Sequence, residues 1–182
     1  KDGKGRELTA EDFVYSIKRL ADPKLQGLGW WLIDDKIAGL NEWREKNKKL
    51  SKVNYDEKIE GLSALDRYTI RFKLSKPFPQ FLYSLAMSFT SAVSREVVEH
   101  YGRSFINHPV GTGPFRIKDG HYKQTKRIEY YKNPTYRKKL YPCDGSAELI
   151  EKGLTKDCGK RLPLVDRIVV QITQESQPRW LN

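Results

Sequence analysis

The residue types that build metal and catalytic sites are scarce in this sequence. Its three histidines, His100, His108 and His121, each lack a Cys or His partner at metal-ligand spacing, and a structural zinc needs four ligands. No nucleophile-elbow or phosphate-loop motif occurs, and the adjacent carboxylates are typical of ordinary helix starts. We therefore predict neither an enzyme nor a bound metal or cofactor.

Long apolar segments are also missing. The longest apolar-rich stretch, Phe81–Met87, is broken by Ser84, whereas a membrane span needs about 18 apolar residues. The chain begins without Met and without the apolar region of a signal peptide. Lys1–Arg6 resembles a turn without its preceding element, and Gln177–Asn182 predicts the first turn of a helix, with Pro178 near its start. We expect the chain to be an internal piece of a longer protein.

Positive charge, in contrast, is abundant. Of the 182 residues, 34 are Lys or Arg and 23 are Asp or Glu, which gives a net charge of +11 with neutral histidines. The 38% hydrophobic and 12% aromatic residues exclude a disordered tail and predict a packed core. The basic excess is spread widely, with large shares in Lys118–Lys139 and Asn41–Lys52. It suits an anionic partner, which could be nucleic acid, a membrane surface or an acidic protein.

A basic nucleic-acid-binding domain is therefore an alternative function for this chain. Neither of the two basic stretches carries a motif of that class. There is no zinc-finger spacing, and no aromatic strand of the kind that stacks bases accompanies the charge.

The two cysteines, Cys143 and Cys158, lie fifteen positions apart in a turn-rich stretch, residues 141–160, that we call the cysteine loop. Two interpretations remain open: unrelated free thiols, or a disulfide that closes this surface loop. A disulfide persists only in an oxidising compartment, so the second interpretation depends on export. In the chain-entropy model, closing a loop of this length contributes roughly 3 kcal/mol.

The helix predictions rest on capping residues and apolar spacing. Thr9 and Asp12 form a capping box at the start of a helix that Asp22-Pro23 ends. A second helix, Arg95–Tyr101, is capped by Ser94 and ended by a glycine. Two further helical segments are predicted from apolar stripes, one through Ile33, Ile37, Leu40 and Trp43, and a short buried one through Phe81, Leu82, Leu85 and Ala86.

Strict alternation of apolar and polar residues over Tyr68–Leu74 predicts a strand with one buried face. A turn at Asp66-Arg67 separates it from a predicted strand over Ile59–Leu65, so the two should form a β-hairpin. Further strands are predicted over Phe115–Lys118, Arg127–Tyr131 and Val165–Thr173, an extended segment over Phe89–Val93, and irregular segments over Gln26–Leu32, His108–Pro114 and Asn133–Tyr136. The fold class is α/β (α+β), with several helices and mainly antiparallel strands.

Two loops are candidates for ligand binding. Trp30 and Trp31 are adjacent in a Gly-rich segment, where a Trp pair either packs into the core or forms the apolar wall of a cleft. The second loop is Val110-Gly111-Thr112-Gly113. A strand follows it instead of a helix, which argues against a P-loop. Its glycines permit tight backbone geometry, or the close approach of another backbone or a ligand.

Five short segments in a fixed order resemble one protein family. They are Arg6–Ser16 (Arg-Glu-Leu-Thr-Ala-Glu-Asp-Phe-Val-Tyr-Ser), Leu74–Pro79 (Leu-Ser-Lys-Pro-Phe-Pro), Pro109–Phe115 (Pro-Val-Gly-Thr-Gly-Pro-Phe), Asn133–Tyr136 (Asn-Pro-Thr-Tyr) and Val165–Ile168 (Val-Asp-Arg-Ile). Together they resemble the bacterial extracellular solute-binding proteins of family 5, the oligopeptide- and dipeptide-binding proteins of ABC importers. The Lys-rich Asn41–Lys52 and the cysteine loop depart from the family pattern and look like surface insertions.

The resemblance implies a lobe fragment of the periplasmic binding protein type. Residues 1–108 would be the smaller subdomain of lobe one, and residues 109–182 part of its sheet subdomain. Members of this family have two lobes, which close around a ligand and deliver it to a membrane permease.

The resemblance also carries expectations about ligand, state and location. It implies a monomer that binds a peptide or similar small solute and no nucleic acid. The protein would be periplasmic or extracytoplasmic, with a preceding segment available for lipid anchoring. Trp30, Trp31 and the Val110-Gly111-Thr112-Gly113 loop would lie near the boundary between lobes and line the edge of the cleft.

Overall fold

A computed structural model describes residues 5–25, 27–123 and 127–172 of the chain. It contains two compact units. The first unit is Arg6–Gly102, and the second takes in the described residues from Arg103 onward together with Gly5. The predicted helix start at Gln177–Asn182 and most of the predicted turn at Lys1–Arg6 lie outside the described residues.

Helix α1, Ala10–Leu20, begins and ends where the sequence predicts. The Thr9 N–H donates to Asp12 Oδ2 over 2.8 Å, which confirms the capping box. The helix is amphipathic, and its apolar face, with Val14 and Ile17, is buried in the core of the first unit.

The predicted helical stripe through Ile33 and Ile37 is wrong in its first half. Helix α2, Leu40–Lys48, begins only after Gly39, whose φ of +77° favours glycine. Residues 33–36 form turns instead, and Ile37 forms an antiparallel bridge with Leu74, next to which the Ala38 N–H donates to the carbonyl of Lys73 over 3.0 Å. Both isoleucines are still buried, because spacing predicts burial and does not by itself fix the hydrogen-bond partner.

The predicted hairpin is confirmed with shorter strands. Strand β1, Leu62–Ala64, pairs antiparallel with β2, Ile70–Phe72. Asp66 accepts the backbone N–H groups of Tyr68 and Thr69 and so fixes the turn. Tyr68 itself is exposed, so the predicted buried face does not reach the start of the segment.

Two short helices complete the first unit. Helix α3, Phe81–Leu85, buries Phe81, but Leu82 and Ala86 are exposed, so the prediction that these two residues are buried is wrong. Phe81 and Ser84, three positions apart, lie on the one face of this short helix that is buried. Helix α4, Arg95–Tyr101, is confirmed at both ends, with Ser94 Oγ accepting the Val97 N–H. The predicted extended segment Phe89–Val93 is wrong at its start, because Ser88–Thr90 forms a 3₁₀ turn.

One hydrophobic cluster forms the core of the first unit. It draws on α1, α2, the hairpin and the segment between the two helices. Burying each of its larger aliphatic side chains contributes roughly 1.5–3 kcal/mol. Its members are Val14, Ile17, Ala21, Leu32, Ile33, Ile37, Leu40, Trp43, Val53, Ile59, Leu62 and Phe81.

The second unit contains a three-stranded antiparallel sheet in the order β3-β4-β5. Its strands are β3, Phe115–Lys123, β4, Arg127–Lys132, and β5, Arg167–Gln171. Strand β3 extends beyond its predicted end, and Thr173, the predicted end of the last strand, lies outside the described residues. A 3₁₀ segment, Gly102–Asn107, leads into this unit.

The disulfide interpretation of the two cysteines is confirmed, since Cys143 and Cys158 are bonded. Backbone hydrogen bonds close the base of the cysteine loop: the Tyr141 N–H donates to Lys160 O over 2.9 Å, and the Gly159 N–H donates to Tyr141 O over 3.1 Å. The loop carries helix α5, Ala147–Glu151.

Within the described ranges, no helix has the length and apolar character required to cross a membrane. The same ranges contain no group of three or more His, Cys, Asp or Glu side chains placed to hold a metal ion.

Candidate ligand-binding segments

The two tryptophans lie on a 3₁₀ turn, Trp30–Leu32, which corrects the prediction of an irregular loop through Leu32. Trp30 is half-buried and packs against the core, and the Arg44 guanidinium lies 4.5 Å from its ring centroid. Arg44 also donates to the Ala21 carbonyl over 2.6 Å, so its guanidinium contacts both the Trp30 ring and the backbone.

Trp31 differs from its neighbour, because 61% of its surface is exposed. Leu28, three residues earlier, is also exposed. The 3₁₀ turn thus divides the pair: one ring anchors the turn in the core, and the other stands in solvent as a large apolar surface.

Gly29 explains how this turn is fixed to the rest of the first unit. A Cβ at position 29 would lie 2.7 Å from the Cβ of Phe89 and 3.0 Å from Leu20 Cδ1. Only glycine permits this approach, since Phe89 belongs to a 3₁₀ turn with little freedom to retreat. The turn that carries the tryptophans is therefore held between α1 and the 88–90 segment.

The Val110–Gly113 loop belongs to the second unit. Val110, Gly111 and Thr112 are exposed, and among the described residues no atom lies within 4 Å of where a Cβ would stand at Gly111. The predicted turn Asn133–Tyr136, which is confirmed, supports the end of the loop: Asn133 Nδ2 donates to the Gly113 carbonyl over 3.0 Å. The loop is anchored at Gly113 and open at Gly111.

The two candidate segments lie in different units. Both combine a fixed base with an exposed tip. An exposed indole offers apolar area, and an open glycine backbone offers hydrogen-bonding groups to an incoming chain.

A charged cleft of about 490 Å³ on the first unit escaped the sequence analysis. Arg6 contacts both carboxylate oxygens of Asp12 and reaches Glu96 over 2.8 Å, while Arg95 pairs with Asp56 over 2.5 Å. The hydrogen bonds from Arg6 lower the pKa of Asp12 and hold the pKa of Glu96 at about 2.

The same cleft contains a buried lysine. Lys18 Nζ donates to the carbonyls of Tyr55 and Glu57, each over 2.8 Å, and burial lowers its pKa. Because the arginine side chains of the cleft are engaged by carboxylates, we interpret it as a clamp between α1 and α4. Only the acidic first turn of α1 signals it in the sequence, since Arg6 and Glu96 are 90 positions apart.

Comparison with known proteins decides the family. The model of the bacterial extracellular solute-binding proteins, family 5, middle, matches residues 1–182. The chain belongs to this family. The periplasmic oligopeptide-binding protein OppA of Escherichia coli K12 is 32% identical over 142 residues, which cover 75% of this chain and 24% of that protein. The glutathione-binding protein GsiB of Salmonella typhimurium is 29% identical over 99 residues, or 54% of this chain and 19% of that protein.

Solved structures of the family share the fold. An oligopeptide-binding protein from Borrelia burgdorferi, OppAIV, matches with a TM-score of 0.70 and 24% identity over 98% of this chain and 30% of its own. OppA of Burkholderia pseudomallei matches with a TM-score of 0.60 and 27% identity over 74% of this chain and 25% of its own. The predicted fold class, helices with mainly antiparallel strands in a periplasmic binding protein-like lobe, is confirmed. The chain spans about a quarter of the length of these relatives.

Proposed function

We propose that this chain is part of the solute-binding component of an ABC importer, which binds oligopeptides or a similar small solute outside the cytoplasmic membrane and delivers them to a permease. The family match along residues 1–182 carries the proposal. Relatives are named for binding oligopeptides, di- and tripeptides and glutathione, which share a peptide backbone. No comparison favours an enzyme or a basic nucleic-acid-binding domain.

Within the complete protein, we assign the first unit to the smaller subdomain of lobe one and the second unit to part of its sheet subdomain. The sequence interpretation divided the chain after residue 108, and the compact units part between Gly102 and Arg103. The intervening 3₁₀ segment therefore belongs with the second unit in this assignment.

The ligand contacts of this chain would come from its two exposed tips. Trp31 would supply an apolar wall for ligand side chains, with Trp30 holding the turn in place. The Val110–Gly113 backbone would supply hydrogen bonds to the ligand main chain, a mode of recognition that tolerates any side chain. Closure of the second lobe would exclude water and strengthen these bonds.

The disulfide supports an extracytoplasmic location, because such bonds persist in oxidising compartments. In this proposal the protein is a monomer outside the cytoplasmic membrane, and any lipid anchor belongs to a segment beyond this chain. A protein free in the periplasm and one anchored to a membrane share the same ligand chemistry.

Calorimetric titration of the complete protein with peptides of two to five residues tests the function. We expect saturable binding of one peptide per protein. The matched titration uses random-sequence duplex DNA at 50 and 200 mM salt. DNA binding that falls steeply with salt, in the absence of peptide binding, would replace the proposal with a nucleic-acid function.

A further inference from the structure

The cysteine loop presents apolar side chains to solvent. Leu149, Ile150 and Leu154 are large aliphatic residues whose exposed fractions lie between 42% and 54%. They are gathered in one place: the Leu154 N–H donates to Leu149 O over 3.0 Å, and Leu149 and Ile150 both pack around Gly145. A short loop that has its own disulfide would ordinarily expose polar residues here.

The same segment carries unpaired positive charge. Between Arg137 and Arg161 there are seven Lys or Arg and four Asp or Glu residues. Lys152 pairs with Glu148 over 2.5 Å, and Lys160 pairs with Asp157 over 2.6 Å. The remaining lysines, Lys138, Lys139 and Lys156, are exposed and form no ion pair with any described residue; the same holds for Asp144 and Glu151, so the segment keeps a net positive charge.

We propose that the cysteine loop and its base, residues 137–161, form a docking surface for an anionic phospholipid membrane. Exposed aliphatic side chains and unpaired lysines in one segment fit the boundary between headgroups and acyl chains, because the apolar groups enter the acyl region while the ammonium groups meet phosphates. An acidic protein surface would also complement the charge, and the permease arm of the experiment below separates that partner from lipid.

The loop is built to present this surface rigidly. The Cys143–Cys158 bond closes it, and its base is hydrogen-bonded through Tyr141, whose hydroxyl also donates to Leu154 O over 2.9 Å. Binding therefore requires little ordering of the loop. The inference relies on the proposed function only for placing the protein outside the cytoplasmic membrane, where it must approach the lipid surface to meet a permease.

Vesicle cosedimentation of the complete protein tests the docking surface without any peptide. We expect binding to phosphatidylglycerol-rich vesicles and little binding to pure phosphatidylcholine. A lysine near an anionic surface strengthens binding about fivefold, so the triple variant K138Q/K139Q/K156Q should weaken it about 100-fold. The apolar variant I150Q/L154Q should weaken it about tenfold.

Matched variants distinguish vesicle binding by this particular surface from binding caused by the net positive charge of the protein. K49Q/K52Q/K58Q removes three exposed charges from the first unit, and I106Q/L65Q changes two comparably exposed aliphatic residues elsewhere. Both should bind vesicles like the wild type. Three results would each overturn the proposed membrane-docking surface. They are equal losses from the two triple lysine variants, no vesicle binding by the complete protein, and binding that requires the permease in phosphatidylcholine nanodiscs. Peptide titration of the same preparations reports separately on the proposed function.

Discussion

The two units of this chain are stabilised in different ways. Among the described residues, fourteen of the fifteen buried hydrophobic side chains belong to the first unit, and Tyr136 is the single one in the second. The described part of the second unit relies on a three-stranded sheet, whose strand β5 is exposed along its length, and on a disulfide. Core burial thus fixes the 30–32 turn of the first unit, while strand pairing and a disulfide fix the described part of the second unit.

This difference also applies to the two candidate ligand-binding segments. Rigid support with an exposed tip recurs in both units, although its source differs. In the first unit a half-buried indole and a glycine hold the turn, and in the second an Asn amide holds the loop end. Variants of the supports should change stability, and variants of the tips should change binding.

The largest effect should come from the core of the first unit. Ile37 is 1% exposed, so Ile37→Ala should lower its free energy of unfolding by about 2–5 kcal/mol through lost burial and a cavity. The matched variant Ile168→Ala, at a position 38% exposed on β5, should cost less than about 1 kcal/mol. Urea unfolding followed by Trp fluorescence measures both. Equal losses would show that the two units share one core.

Removing the disulfide should destabilise the second unit selectively. Cys143→Ser with Cys158→Ser should lower its stability by about 3 kcal/mol in the chain-entropy model. Hydrogen exchange should then increase around the cysteine loop, while amides of α1 keep their protection. Titration of the unreduced, unfolded wild type should find no free thiol. Increased exchange throughout α1 would contradict the separation of the two units.

Replacing the two tryptophans should have different effects, one on peptide affinity and the other on stability. Trp31→Ala should weaken peptide binding by the complete protein by about 1–3 kcal/mol, if burial of the ring by the ligand is lost, and leave the melting temperature near its original value. Trp30→Ala should lower the melting temperature, because its ring packs on the core. Calorimetric titration and thermal unfolding of both variants make the test. Unchanged affinity in Trp31→Ala would remove this residue from the site.

A smaller effect is expected from the charged cleft. Arg6 lowers the pKa of Asp12 and Glu96, so their contribution to stability is complete above about pH 4.5 and is lost as the pH falls toward 2. Arg6→Gln should remove about 1 kcal/mol at pH 7, since the Arg6 and Glu96 side chains are 44% and 64% exposed and therefore screened by solvent. Urea unfolding at pH 7 and pH 3 should show a weaker pH dependence in this variant.

Arg71→Gln is the matched control for the cleft. Arg71 is exposed on β2 and forms no ion pair with any described residue. Its replacement should leave the pH dependence of unfolding as it is in the wild type. An identical change in both variants would mean that overall charge, and not the Arg6 clamp, sets the acid response.

Local rules predicted much of the fold. The capping residues Thr9 and Ser94 located the starts of α1 and α4, and a turn at Asp66 located the hairpin, because each acts on neighbouring backbone groups. The cysteine spacing left free thiols and a disulfide as alternatives, and the structure contains the disulfide. These features depend on residues close together in sequence.

Long-range packing accounts for what the sequence missed. Ile37 has the spacing of a helix but its neighbour Ala38 pairs with the end of the hairpin, and Leu82 lies on the solvent side of a short helix. The Arg6–Glu96 pair of the cleft joins positions too far apart for any spacing rule. The different exposure of Trp30 and Trp31 likewise follows from Arg44 and Phe89, which are distant in sequence.

The most direct measurement of the central claim, that an open loop backbone receives the peptide, is the peptide affinity of Gly111→Ala in the complete protein. No described atom opposes a Cβ there, so its melting temperature should match the wild type. Affinity should fall about tenfold or more, because the new methyl group would occupy the space that the peptide main chain approaches in our proposal. Gly29→Ala, where the Cβ meets Phe89, should instead lower the melting temperature. Wild-type affinity in a stable Gly111→Ala protein would contradict the account.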